Sequence, residues 1–322
     1  MKLLKLIPDN TNIKFLRWRV PFYAISLLLM AASLTLVFTK GLNLGVDFVG
    51  GQSVRVTFAE KVAPIAKVRS EIDALGYGEP IIQQVGGPNQ IAVRMKLPDQ
   101  NDTTLSDRMV RDIRATIEQH HPGVEIGAAR AVSGKVSDEL FRSGMIALAL
   151  AMVGISIYIW VRFEWQFGIG ALFALAHDVT LTLGMFALTG MEFDLNIVAA
   201  ILTLIGYSLN DTIVIYDRIR ENMKKYRKMP LPELLDISVN ETLSRTVVTS
   251  TSILITLVAL LILGPDVIFG FTAAITLGIF VGTYSSIYMS APILIWCGVT
   301  QDSFVPTETR ADAQDRRARG QV

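Results

Sequence analysis

Residues Leu195–Arg218 read LNIVAAILTLIGYSLNDTIVIYDR. The stretch is long and apolar enough to cross a bilayer as a helix. It nevertheless carries a carboxylate, Asp211, near its basic end, where Asp217 and Arg218 mark the membrane edge. An Asp at the centre of a membrane helix costs roughly 2.5–3.5 kcal/mol. Such a residue must face a protein interior or a wet cavity, and it needs a partner. Tyr207, Ser208, Asn210 and Thr212 surround it with polar groups. The fold therefore reads as a helical membrane bundle organised around one ionisable position.

Five further apolar segments flank this one, at 20–38, 143–161, 167–189, 246–264 and 268–297. The chain has 322 residues, 51% of them hydrophobic, and a mean hydropathy of +0.43. That places it among polytopic membrane proteins with one soluble insert. A net charge of +1 leaves no global footprint for nucleic acid. Cys297 is the only cysteine, so no intrachain disulfide forms. The first apolar run is full length and lacks a small-residue cleavage site, so it reads as an anchor.

Basic residues sort by position. The leader 1–19, with Lys2, Lys5, Lys14, Arg17 and Arg19, the 162–166 loop, the 218–245 loop and the tail 298–322 together hold 17 Lys and Arg. The short loops 190–194 and 264–267 hold none. The positive-inside rule then puts both termini in the cytoplasm and the large insert, 40–140, outside. Trp18, Trp160, Trp165 and Trp296 all fall at cytoplasmic span ends in this topology. The 218–245 loop is basic at first and amphipathic after Pro230 and Pro232; it reads as a solvated positive-inside loop, with a segment lying at the membrane interface and open to anionic lipid or a cytoplasmic partner as the alternative.

The insert reads as a small α+β domain. Ser53–Phe58 alternates like a strand, Val62–Leu75 is helical and stops at Gly76, and Pro80–Val85 and Gln90–Lys96 form two strands about a Gly86–Asn89 turn. Leu105–His120 is a second helix, stopped by Pro122 and Gly123, and Val124–Val132 is a last strand. The order βαββαβ is that of a ferredoxin-like split fold. His120 and His121 are adjacent and cannot share a helix face as metal ligands.

Within the spans, Arg245 opens the fifth at the depth expected for Asp211 in an antiparallel neighbour. A carboxylate facing an arginine in low dielectric switches between a paired anion and a neutral acid, which is the minimum equipment of a proton site. The same pair also serves as static polar glue between helices. His177 and Asp178 sit midway along the third span, in a small and polar stripe of Gly170, Ala174, Asp178 and Thr182. Asp178 is either a second relay member or a buried anchor. Gly270, Ala274, Gly278, Gly282, Ser286 and Ser290 repeat every four residues and read as a close helix-packing face. No phosphate-binding glycine loop, HExxH, GxSxG or metal-ligand spacing is present.

Three motifs carry a resemblance. Gly41–Gly51 (GLNLGVDFVGG), with Gly45, Asp47, Gly50 and Gly51, resembles the signature that opens the SecD/SecF proteins of bacterial protein export. Gly206–Asn222 (GYSLNDTIVIYDRIREN), with Gly206 and Asn210, is similar to a fourth-span motif of that family, and Asn240–Ser250 (NETLSRTVVTS) to a fifth-span motif. The resemblance implies six spans and one extracytoplasmic domain, in the resistance-nodulation-division superfamily. It implies a SecD partner, a place beside the SecYEG channel, SecA and YajC in the inner membrane, and exported polypeptides as cargo. It implies use of the proton-motive force, with the proton-linked aspartate and arginine carried onto Asp211 and Arg245. The missing motifs, rather than the resemblance, lead to the expectation of no cofactor, no metal and no enzymatic reaction. Three rival readings are a proton-driven half-transporter for a small solute or lipid, a membrane scaffold in which Asp211 need not ionise, and an aspartyl protease with Asp178 and Asp211 as its dyad, for which the sequence offers no flanking glycine motif.

Overall fold

The computed structural model describes residues 8, 11–85, 87–96 and 103–299. Lys2 and Lys5 of the leader, Gly86 of the expected turn and the tail from residue 300 lie outside them. Six helices are long and apolar enough to cross a membrane. In order, the membrane part comprises α1 (Arg19–Thr39), α5 (Gly134–Arg162), α6 (Trp165–Thr189), α7 (Leu195–Lys225), α8 (Leu231–Leu263) and α9 (Phe269–Ser285), which continues through a π-turn at Ser286–Ser290 into α10 (Ala291–Trp296). The π-turn precedes Pro292, whose missing N–H cannot continue the regular ladder.

Between α1 and α5 lie β1 (Asn43–Leu44), α2 (Val46–Val49), β2 (Gly51–Thr57), α3 (Ile65–Asp73), β3 (Ile81–Gln84), β4 (Gln90–Met95), α4 (Thr103–His120), β5 (Glu125–Ile126) and β6 (Arg130–Val132). The sheet order is β3-β4-β2-β5, all antiparallel, with β6 also on β2. This is the split βαββαβ arrangement that the strand pattern predicts. One sheet face is apolar, with Val54, Val56, Ile82, Ile91 and Val93 buried beneath α3 and α4. Met109, Ile113 and Ile117 recur every fourth residue along α4, so a single helical stripe closes that core. The expected single strand over 124–132 is two short ones, parted at Gly127, whose N–H bonds Arg55 O at 2.9 Å.

One expectation is corrected. The 218–245 segment is neither a solvated loop nor an interfacial one: α7 and α8 run through it and leave only 226–230 as a connection. Its amphipathic face is used for packing, since Leu234, Leu235, Ser238 and Val239 are buried in the same core as Ile219 and Met223 of α7. The helix that carries the apolar segment 143–161 begins at Gly134, after a Ser133 N-cap whose side chain accepts from Val136 N. A further strand, β7 (Glu192–Phe193), pairs in parallel with β1 and ties the start of the insert to the loop between α6 and α7.

Helix direction gathers Trp18, Trp160, Trp165 and Trp296, all exposed, at the end of the bundle opposite the insert. The Gly50–Gly51 step at the insert's entry is a steric requirement. Both have positive φ, +68° and +111°. A Cβ on Gly51 would overlap the Met95 carbonyl oxygen.

Gly51→Ala should therefore lower the thermal unfolding temperature of the purified protein well beyond Gly76→Ala. Gly76 has φ +75° and open space around it, so it bears only the backbone cost of about 1–3 kcal/mol.

Candidate functional site

Helix α7 is the hub. It packs on α6, α8 and α9, and Ile201, Leu204, Ile205, Ser208 and Asp211 on it are buried. The four-residue repeat of α9 is what lets the helices close up. A Cβ on Gly278 would overlap Leu204, one on Gly270 would sit 3.3 Å from Ile197 Cδ1, and one on Gly282 would sit 3.2 Å from Ser208 Cβ. Ala274 is buried in the same face. The stripe on α6 is packed as tightly, since a Cβ on Gly170 would meet Ser290 O at 2.8 Å and overlap the Tyr216 hydroxyl.

Asp211 is 2% exposed. Its carboxylate makes no hydrogen bond or ion pair with any described residue, and Oδ2 is buried without a partner. Nearby, Tyr207 OH lies 3.0 Å from Ser250 Oγ, which lies 2.7 Å from Thr283 Oγ1. Because 207 is level with 250 in antiparallel α7 and α8, one turn further brings Asp211 level with 246. Thr246 Oγ1 is also buried and unpartnered. Arg245 shares that depth but is exposed, and it forms no ion pair with Asp211 within this chain. Gly206 and Asn210, one turn apart on α7, are exposed as well.

Asp178 is treated in the opposite way. It is fully buried, and its carboxylate takes Ser208 Oγ at 2.5 Å, Ser285 Oγ at 2.8 Å and His177 Nδ1 at 2.9 Å. Three helices meet on that one side chain. The two aspartates do not touch each other. Ser285 has no signal in the sequence, because it lies one position off the small-residue repeat.

A second cluster joins insert and bundle. Gly45 N donates to Phe193 O at 2.8 Å, and Leu195 N, the first residue of α7, donates to Asp47 Oδ2 at 3.1 Å. A Cβ on Gly45 would sit 2.9 Å from Glu192 Oε1. Arg94 of β4, 4% exposed, donates to Leu44 O at 2.6 Å and to Gln83 Oε1 at 2.5 Å, bonds Asn43 Oδ1, and lies 4.0 Å from Glu192 Oε1. The sequence marks Arg94 only as one polar residue on the face of β4 away from the helices. Asp194 caps α7 by accepting from Ile197 N at 3.2 Å and lies 3.8 Å from Arg130.

Six helices long and apolar enough to cross a membrane, with a split α+β domain held against the start of the central one, define a class of helical membrane protein with one α+β insert. Residues 112–300 match the family described as "Protein export membrane protein SecD/SecF, C-terminal", and residues 35–62 match "SecD/SecF GG Motif". The chain is 44% identical over 302 residues to a protein translocase subunit SecF of Cereibacter sphaeroides, covering 92% of this chain and 93% of that one. It is 38% identical to the SecF of Vibrio alginolyticus, covering 97% and 98%. A crystal structure of SecDF, a translocon-associated membrane protein from Thermus thermophilus, superposes with a TM-score of 0.83 at 35% identity. That match covers 91% of this chain and 40% of the SecDF chain. The chain belongs to the SecD/SecF family of protein-export membrane proteins, as a SecF.

Burial pushes the Glu192 carboxyl up, against the opposing pull of Arg94, and pushes the Asp194 carboxyl up as well. A carboxyl raised in the docked state binds its proton more tightly there, so docking is favoured at low pH and weakens as pH rises through the raised values. Amide exchange at 43–45 and 192–195, corrected for intrinsic rates, should show more protection near about pH 5 than near about pH 8. Glu192→Gln should flatten that dependence.

Proposed function

We propose that this SecF works with SecD to turn the proton-motive force into late movement of exported polypeptides across the bacterial inner membrane, beside the SecYEG channel, SecA and YajC. The observation that carries this reading is the unpartnered, buried carboxylate of Asp211 on the hub helix. A static glue residue would be hydrogen-bonded, as Asp178 is. Asp211 is not, and this is the condition of a group that gains and loses a proton.

The exposed Gly206, Asn210 and Arg245 support SecD as the missing partner. A polar amide and a guanidinium facing lipid are costly, and a second helical bundle laid against α7 and α8 would cover them. Arg245 then pairs with Asp211 or with an acid on SecD, according to the protonation state. The basic leader and loops, and the ring of four tryptophans, support a cytoplasmic location for both termini and an outside location for the insert. One proton crossing 100 mV supplies roughly 2.3 kcal/mol. Protonation of Asp211 would shift α7, and α7 begins at the Asp47 clamp on the insert's entry. The insert would then swing with the helix.

The test follows pulse-labelled secretory precursors in cells carrying wild-type or Asp211→Asn protein at matched membrane levels. Slow release outside, with normal assembly with SecD, is the expected result. Release at the wild-type rate would reduce Asp211 to packing and favour the scaffold reading.

A further inference from the structure

Helix α1 packs on α6, and α5 packs on α6 and α7. Between α1 and α5, on the insert side of the bundle, lies a cavity of about 750 Å³. Phe38 of α1 and Phe141 of α5 stand on its two sides, Ala176 of α6 and Ile201 of α7 line its floor, and Phe48 of α2 covers it from the insert. Phe38 and Phe141 are exposed, so the cavity opens sideways between them. The Thr180 hydroxyl is the only polar side-chain group in its lining. An apolar cavity stays dry and takes an apolar occupant.

Volume narrows the choice. A cavity of about 150 Å³ holds one benzene, so this one holds roughly thirty carbons, on the order of one or two acyl chains. A helix about 10 Å across would fill the same volume within roughly 10 Å, under two turns. The space is lipid-sized, and too small for a partner's whole span. Its mouth is also charged. Lys40 lies two residues beyond Phe38, and Arg142 directly follows Phe141. These positions close the apolar segments 20–38 and 143–161 on the insert side, which is headgroup level. Both cations are exposed, and neither forms an ion pair with any described residue. Lys40 Nζ donates to Leu188 O at 2.7 Å, which holds it at the end of α6. Asp138 and Glu139, the two acids of α5, lie one turn further out.

We propose that this cavity binds an anionic phospholipid from the leaflet on the insert side, with an acyl chain between α1 and α5 and the phosphate between Lys40 and Arg142. A guanidinium suits a phosphate because it offers parallel N–H donors. The chain lies against Phe48, whose ring is 5.7 Å from that of Phe141 and 6.0 Å from that of Phe193 on β7. Lipid thus completes the packing beneath the junction made by Asp47 and Gly45. The site does not depend on the protonation of Asp211.

The test uses the full chain purified with SecD in phosphatidylcholine nanodiscs, with phosphatidylglycerol carrying a photoreactive diazirine on one acyl chain as the probe. Labelled peptides should come from the cavity faces of α5 and α6, at least fivefold above the exposed face of α8. Unlabelled phosphatidylglycerol should displace the probe at roughly tenfold lower concentration than added phosphatidylcholine. Lys40→Gln/Arg142→Gln should bring the two lipids level. Ala176→Phe, which fills the floor, should cut labelling in the cavity at least fivefold. Should that variant fail to fold, the exposed charge pair still decides the matter. Labelling spread evenly over the exposed faces of the spans, or equal displacement by both lipids from the wild-type chain, would overturn the proposal. So would capture of a SecD peptide by benzoylphenylalanine placed at Phe141, which would show a partner's helix in the lipid's place.

Discussion

A carboxylate inside a membrane bundle must be neutral, hydrogen-bonded, paired or wet. The bundle answers that constraint twice, in different ways. Asp178 is enclosed by donors from its own helix and from α7 and α9, so three helices are registered on one side chain. Asp211 is left with nothing of its own. The first arrangement holds the helices in place. The second leaves a buried carboxylate whose Oδ2 no described residue bonds. The close approach of α9 to α7 at Gly278 and Gly282 leaves room for Ser208 of α7 to meet Asp178 of α6, with Asp211 about one turn further along α7.

That helix is also the route to the insert. Its first backbone amide is bonded by Asp47, its N-cap is Asp194, and the preceding strand β7 pairs with β1 at the insert's entry. Arg94 then clamps the polar face of the sheet onto the same strand pair. Sheet, entry segment and hub helix thus share one small hydrogen-bonded junction, and a displacement of α7 cannot be absorbed by a floppy linker. The diglycine step makes this geometry possible, since any side chain at Gly51 meets the backbone of β4.

Much of this was legible in the sequence. Spans are read from length and hydropathy, and the strand order of the insert from alternation and turn residues. The repeat on α9 was legible because glycines at four-residue spacing have one main use. Asp211 stood out because a charge in an apolar run is conspicuous. What was not legible depends on contacts between distant segments. Arg94 looks like any polar residue on a half-exposed strand, and β1 and β7 are too short to show a period. Ser285 is one serine among several. The 218–245 segment misled because its charge pattern fits both a solvated loop and two helical extensions packed on one another, and only the burial of Leu234, Leu235 and Val239 decides between them.

The central claim is that the protonation state of Asp211 sets the position of the insert. Pulsed electron resonance distances test it most directly, between spin labels at Lys67 on α3 and Leu188 at the end of α6, both exposed sites. Cys297 would be replaced so that the labels are unique. In proteoliposomes carrying the chain with SecD, imposing a proton gradient should redistribute this distance in the Asp211 protein and leave it unchanged in Asp211→Asn. The same redistribution in both, or none in either, would contradict the account.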